Sequence, residues 1–232
     1  MTITQEQKAA QFKALHQSGC FIIPNPWDAG SARLLAGMGY LALATSSGAA
    51  AGVLGRKDGE ISRDESIAHA RIIVAATDLP VAADLENGFG DTPADAALTI
   101  RRAAEVGLVG GSIEDASGIN AATGERRIYD FNHAVERVTA AAEVAHAQPF
   151  AFTFTARCEN FLRGNPDIDD TIRRLQAYEK SRCRCVVCSR TAQHRSSAPG
   201  VPIALQTVQL HGRHQGQVVQ RGRARSRRRA PH

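Results

Sequence analysis

Acidic residues are the first feature of this 232-residue chain that could do chemistry. Asp84 and Glu86 fall in A-D-L-E-N-G-F-G-D, Glu114 in G-S-I-E-D and Asp58 in R-K-D-G-E. Four carboxylates in one place would repel unless a cation joined them, and hard oxygen donors suit Mg²⁺ or Mn²⁺. Each acid alone has a plainer reading as a solvated loop residue or helix cap, and Asp91 is expected in a turn before a helix starting near Thr92. Arg157 ends the apolar run F-A-F-T-F-T-A, where a guanidinium needs an anion to offset its desolvation. Two kinds of anion compete for it: a substrate carboxylate held by paired hydrogen bonds, or an internal acid, either Glu159 or one on a neighbouring strand. The run Ala44 to Ala49, A-T-S-S-G-A, would let backbone amides approach a ligand's oxygens. Ser/Gly turns are common, so that run carries little weight alone.

The elements that must position these residues follow an alternating pattern. Short apolar runs predict strands over Cys20 to Pro24, Tyr40 to Thr45, Pro80 to Leu85, Leu108 to Ile113 and Phe150 to Ala156. Amphipathic segments predict helices over Ser31 to Met38, Ser62 to Ala76, Thr92 to Val106, Asp130 to Ala145 and Asp167 to Glu179, with Ser62 and Glu65 spaced as a capping box. Five βα units suit either a doubly wound sheet or an eight-fold barrel. The polar residues favour the barrel: Ser46 and Ser47, Asp84 and Glu86, Glu114 and Asp115, and Arg157 all fall at carboxyl ends of strands, which converge on one mouth in that fold.

Composition bounds the reading. The length suits one α/β domain, no apolar run approaches the roughly 18 residues of a membrane span, and the opening M-T-I-T-Q-E-Q-K has no signal-peptide core. A soluble, cytoplasmic protein without membrane partners is expected. The five cysteines, Cys20, Cys158, Cys183, Cys185 and Cys188, are odd in number and read as reduced thiols. Residues 181–232 hold 11 Arg and no Lys, Asp or Glu, whereas the preceding residues hold 17 basic and 23 acidic side chains. The basic character therefore belongs to the tail alone.

The motifs P-N-P-W-D-A-G-S-A-R-L, T-S-S-G-A-A-A-G-V-L-G-R-K-D-G-E, A-D-L-E-N-G-F-G-D, S-I-E-D and F-T-A-R, in this order, resemble the successive strand-end motifs of the phosphoenolpyruvate mutase/isocitrate lyase superfamily. The resemblance covers about residues 20–180 and is strongest to its phosphoenolpyruvate phosphonomutase-like and carboxyvinyl-carboxyphosphonate phosphorylmutase-like branch. It implies a (β/α)8 TIM barrel and an Mg²⁺-dependent enzyme, with Mn²⁺ as a substitute. Asp58, Asp84, Glu86 and Glu114 would hold the metal, partly through water. Ser46 and Ser47 would meet the substrate's carboxylate and oxo oxygens, and Arg157 its carboxylate. The implied reaction is a lyase or mutase step that cleaves or rearranges a C–C or P–C bond of a small 2-oxo acid or phosphonate through an enolate-like intermediate. Full-length relatives of this kind are implied to form homo-oligomers by exchanging a C-terminal helix.

Two departures narrow the implied chemistry. Glu86 stands where many members carry aspartate, one methylene shorter. After Glu114 the chain reads D-A-S-G-I-N-A-A-T-G-E-R-R-I-Y-D in place of the Lys-[Lys/Arg]-Cys-Gly-His loop of isocitrate and methylisocitrate lyases, which argues against a cysteine-dependent lyase. Cys158 reads as a small core residue. His69, His133 and His146 read as residues on helix faces, and Trp27 and Asp28 as substrate-side packing or an N-cap.

The domain reading is a partial barrel over 1–180 followed by an Arg-rich tail over 181–232, expected to be disordered. C-x-C-x-x-C at Cys183, Cys185 and Cys188 fits no familiar zinc module. A nucleic-acid-binding protein acting through its basic arm is the rival reading, with nucleic acid not the expected partner. A one-nucleotide frameshift between about codons 179 and 182 accounts for more: read one nucleotide later, freely chosen codons can spell A-G-A-D-V-L-F-A-P-G-L-P-N-I-E-A, similar to the family's sixth strand. Five βα units would leave the barrel incomplete and its edges unpaired, so loss of activity in this form is expected. The gene's nucleotide sequence decides the point.

Overall fold

The computed structural model describes residues 3–118, 122–123 and 127–181, together with the backbone of 185–188 and 208–211. Helices begin where side chains can take the otherwise unpaired first N–H groups. Thr4 and Gln7 form a capping box at α1 (Gln5–Leu15), Asp28 and Ser31 one at α2 (Ala29–Gly37), and Ser46 caps the short α3 (Ser47–Val53). Ser62 and Glu65 make the expected box at α4 (Arg63–Ala76), and Thr92 pairs with Asp95 ahead of α5 (Pro93–Glu105). Asp130 caps α6 (Phe131–His146) and Asp167 caps α7 (Ile168–Lys180).

Between the helices lie β1 (Leu43–Ala44), β2 (Val81–Asp84), β3 (Gly110–Glu114) and β4 (Thr153–Cys158), each parallel to the next. The backbone of β5 (Cys185–Cys188) runs parallel to β4, and that of β6 (Val208–His211) antiparallel to β5. The expected first strand over Cys20 to Pro24 is irregular in the structure. It meets β1 through the bond from Ala44 N–H to the Pro24 carbonyl and through Asn25, whose amide donates to the Ala44 carbonyl. Pro24 and Pro26 lack the N–H groups a regular ladder requires. Two helices escaped the periodicity: α1, whose exposed surface is almost wholly polar, and α3, whose small residues read as a loop.

The main core lies between the sheet and its outer helices, where Ile67, Ile73, Ile100, Leu108, Val138, Phe152, Phe154 and Tyr178 are buried among many alanines. Burying each large side chain contributes roughly 1.5–3 kcal/mol, while the alanines let helix and strand approach closely. A second cluster, Ala9, Phe12, Ala42 and Val109, seats α1 across the amino-terminal ends of the strands. There, Gln5 donates to the carbonyls of Ala104 and Leu108. Among the described residues no helix is long and apolar enough to cross a membrane. The tail's zinc, nucleic-acid and frameshift readings concern residues outside the described ones, apart from the two backbone strands.

Candidate active site

Parallel pairing sets Glu114 of β3 directly beside Arg157 of β4, and Asp84 ends β2 next to Ser112. The carboxyl ends of three adjacent strands thereby deliver an acid, an acid and a guanidinium to one place. Arg157 donates to Asp84 Oδ1 at 2.9 Å, to Glu114 Oε2 at 2.5 Å and to Glu159 Oε1 at 3.1 Å. Arg163, in the 3₁₀ turn Asn160–Arg163, adds a longer 3.4 Å contact to Glu114 Oε1. The internal salt bridge weighed for Arg157 is thus present, with Glu159, with Glu114 on the neighbouring β3 and with Asp84 one strand further, on β2.

The serines divide their tasks. Ser47 Oγ donates to Asp84 Oδ2 at 2.9 Å, assisted by its own N–H at 3.3 Å. Ser46 Oγ accepts the Ala49 N–H, so its hydroxyl oxygen serves as the cap of α3. Asp58 is exposed and lies over the start of that helix, where a Cβ added at Gly48 would sit 3.8 Å from its Cγ. Glu86 is buried, and its N–H donates to Asp84 Oδ1. Its backbone is left-handed at φ 47°, as is Phe89 at φ 56°, conformations that cost on the order of 1–3 kcal/mol each and persist only when surroundings impose them.

Those surroundings are identifiable. Arg137, 1% exposed, donates to the carbonyls of Asn87, Gly90 and Thr92. Arg63 donates to those of Gly88 and Phe89, and His133 Nε2 lies 2.7 Å from that of Asp91. Tyr129 adds its ring beneath the Arg137 guanidinium at 4.5 Å and its hydroxyl to Asp91. Burial, with the Asp91 hydrogen bond, pushes that phenol up to about 12. Beside Glu86 and Phe89 opens a cavity of about 380 Å³, bounded also by Gly59, Ile61, Ser62 and Gly118, a size suited to a small ligand. A cleft of about 480 Å³ lined by Lys13, His146 and Phe150 lies at the opposite ends of the strands. It has no relation to the carboxylates.

Burial would raise Asp84, but Arg157 and the Ser47 hydrogen bonds outweigh it and hold this carboxyl below the usual range. Glu114 goes the other way: burial, reinforced by Glu159 and Asp84, exceeds the attraction of Arg157 and Arg163 and pushes it up to about 7. Burial disfavours the Arg157 charge, yet Asp84, Glu114 and Glu159 raise its pKa further, so it remains a cation. Two guanidinium groups thus accompany four acids, Asp84, Glu86, Glu114 and Glu159. That surplus of negative charge and the hard oxygen donors fit a divalent cation. Among the described residues no three acid, His or Cys side chains converge as a ready metal cage. Mg²⁺ keeps several waters and takes few carboxylates directly, so a closed cage is not required.

Of the residues singled out from sequence, the structure joins Ser47, Asp84, Glu114 and Arg157 by direct bonds, sets Glu86 beside Asp84, leaves Asp58 exposed over the start of α3, and uses Ser46 as a cap. Asp28 likewise caps α2 with Trp27 exposed, and Cys158 is fully buried. His69 is half-buried, with Nε2 2.7 Å from the Trp27 carbonyl. Sequence reasoning passed over Arg163, Arg137 and Tyr178. Arg137 and Tyr178 lie on predicted helices and Arg163 between predicted elements, and none gives a local sign that its partner lies in a distant segment.

The chain is similar to known proteins over most of its length. The sequence profile of the phosphoenolpyruvate phosphomutase family matches residues 12–198. A protein of Burkholderia cenocepacia J2315 provisionally named a lyase/mutase is 54% identical with TM-score 0.74, over 79% of this chain and 65% of its own. A second protein of that organism, provisionally named a phosphonomutase, is 33% identical with TM-score 0.71, over 79% and 74%. 2,3-Dimethylmalate lyase, at 24% identity and TM-score 0.69 over 78% and 62%, shares the fold. An uncharacterised protein of Mycobacterium tuberculosis H37Rv is 29% identical over 170 residues, so that this chain spans 60% of that relative's length. With its barrel-type parallel sheet, its strand-end acids and a family match over residues 12–198, the chain belongs to the phosphoenolpyruvate mutase/isocitrate lyase superfamily.

Proposed function

We propose that this chain carries the catalytic body of an Mg²⁺-dependent lyase or mutase that cleaves or rearranges a C–C or P–C bond in a small 2-oxo acid or phosphonate. The observation that carries this reading is the Arg157 guanidinium held among Asp84, Glu114 and Glu159 beside Ser47, at the carboxyl ends of three parallel strands. Asp84, Glu86 and Glu114, with Asp58 through water, would hold the metal, which when bound supplies positive charge to the oxygens of an enolate-like species. The chain's own groups do the rest. Arg157 binds the substrate carboxylate with N–H groups it now directs at internal acids. Ser47 donates a hydrogen bond to a carboxylate or oxo oxygen, exchanging Asp84 for the ligand. Burial of Glu114 and Glu159 lowers the local dielectric, which strengthens these contacts.

The loop directly after Glu114, residues 115–130, holds no cysteine, so a reaction with a thiol acid at that position is not proposed. A panel of 2-oxo acids and phosphonates, including oxaloacetate and phosphonopyruvate, tests the reading with and without Mg²⁺ on the protein with its reading frame restored between about codons 179 and 182. Turnover that requires Mg²⁺ and falls at least about 100-fold in Asp84→Ala is expected, as for a lost group that stabilises developing charge. A folded protein that neither binds Mg²⁺ nor turns over any member of the panel would overturn it.

A further inference from the structure

Beneath the Arg157 cluster lies a second group of buried polar side chains that the proposed chemistry does not use. Asp115 is 2% exposed and follows Glu114 at the end of β3. Its main-chain N–H donates to the Arg157 carbonyl at 3.1 Å. Its Oδ1 accepts the Glu159 N–H at 2.8 Å. One residue therefore grips the chain on both sides of Cys158, and so fixes the stretch that carries the Arg157 and Glu159 side chains.

The Asp115 carboxylate is held in turn from α7. Tyr178, fully buried, donates its hydroxyl to Oδ2 at 2.6 Å, and Arg174 Nη1 lies 3.4 Å from the same oxygen. Arg174 is anchored by Asp170 at 2.7 Å and by the Tyr129 carbonyl at 3.0 Å. Contacts thus run without a break from Tyr178 through Asp115 to the Glu159 backbone, and from Glu159 Oε1 to Arg157 Nε. A guanidinium that pairs with a carboxylate does so in a fixed fork geometry, and displacing such a group by an ångström can cost about 100-fold in rate.

We propose that Asp115 is a positioning residue for Arg157, set in place by Tyr178, so that the aim of the guanidinium at a substrate carboxylate depends on a helix that does not touch the ligand. This inference rests on the reading of Arg157 as the substrate's partner. It adds α7 to the working parts of the site.

Oxalate is the probe, because this planar dicarboxylate has the shape of a pyruvate enolate and cannot be turned over in the proposed way. Its affinity is measured calorimetrically with Mg²⁺ on the full 232-residue chain. Wild type, D115N and Y178F are compared, each with Arg157 intact and in the R157K background. With Arg157 intact, D115N is expected to weaken oxalate about tenfold and Y178F about threefold. In R157K both losses should shrink below about twofold, because residues acting through a shared partner are not additive.

Binding by D115N equal to wild type would overturn the proposal. So would the same tenfold loss in R157K, since general damage to the fold does not depend on Arg157. If D115N does not fold, Y178F decides by the same two criteria, as it removes one hydroxyl and no charge. Wild type that fails to bind oxalate removes the underlying reading of the site, and the proposal falls with it. Wild-type binding with D115N unaffected removes only the positioning role.

Discussion

At the scale of residues, Arg157 carries the most consequence. It is one-fifth exposed and bonded to three carboxylates, two of them almost fully buried. Removing it in Arg157→Met leaves those charges uncompensated, and urea unfolding should show a loss of about 3–5 kcal/mol. Glu114 gives a pH signature of opposite sign to that of an ordinary paired acid. Its folded-state pKa, about 7, lies above its ordinary 4.5. The native state therefore holds the proton more tightly. The contribution is fully present below pH 4.5 and is lost as pH rises through about 7. Metal-free protein should become less stable across that window, and the slope measured by thermal unfolding should be shallower in Glu114→Gln. These residues could be read from sequence because a charged side chain closing an apolar strand is an anomaly that demands a partner. Asp115 could not be read so far, since its bond to Tyr178 spans 63 positions and nothing local announces it.

At the scale of elements, glycine decides how closely the layers approach. Gly110 in β3 faces the Phe12 ring of α1 and the backbone of β4: an added Cβ would lie 2.8 Å from the Thr153 carbonyl oxygen and 3.0 Å from Phe12 Cε1. Neither a strand backbone nor a packed ring moves cheaply. Gly110→Ala should lower stability by roughly 1–3 kcal/mol in urea unfolding, the usual cost of overpacking. At Gly111 the nearest atom is Leu85 Cδ1, at 2.7 Å, the far end of a flexible side chain. Gly111→Ala should therefore cost less. Four of the five expected strands and all five expected helices are present, with ends displaced by a few residues, because capping pairs such as Ser62 with Glu65 are local chemistry. The elements that escaped depend on tertiary context. Helix α1 buries only Lys8, Ala9 and Phe12, too few to mark a stripe, and the irregular stretch at residues 20–24 is held to β1 by a neighbour's bonds rather than by its own pattern.

At the scale of the whole molecule, the parallel order of β1 to β4 turns four separate strand ends into one mouth, and this is what makes isolated motifs a site. The fold class was readable for that reason: convergence explains why Asp84, Glu114 and Arg157 fall at the carboxyl ends of strands and Ser47 just beyond one. The substrate was not readable, because strand-end groups of these types suit the carboxylate and oxo oxygens that all small 2-oxo acids share. The central claim is that this mouth binds the carboxylate of a small 2-oxo acid together with Mg²⁺. Calorimetric titration of oxalate into the full chain, with Mg²⁺ and with EDTA, and again in Asp84→Ala, tests it most directly. The account predicts saturable binding of one oxalate per chain that requires Mg²⁺ and disappears in Asp84→Ala. A folded protein that shows no binding, or binding that survives both EDTA and the substitution, would contradict it.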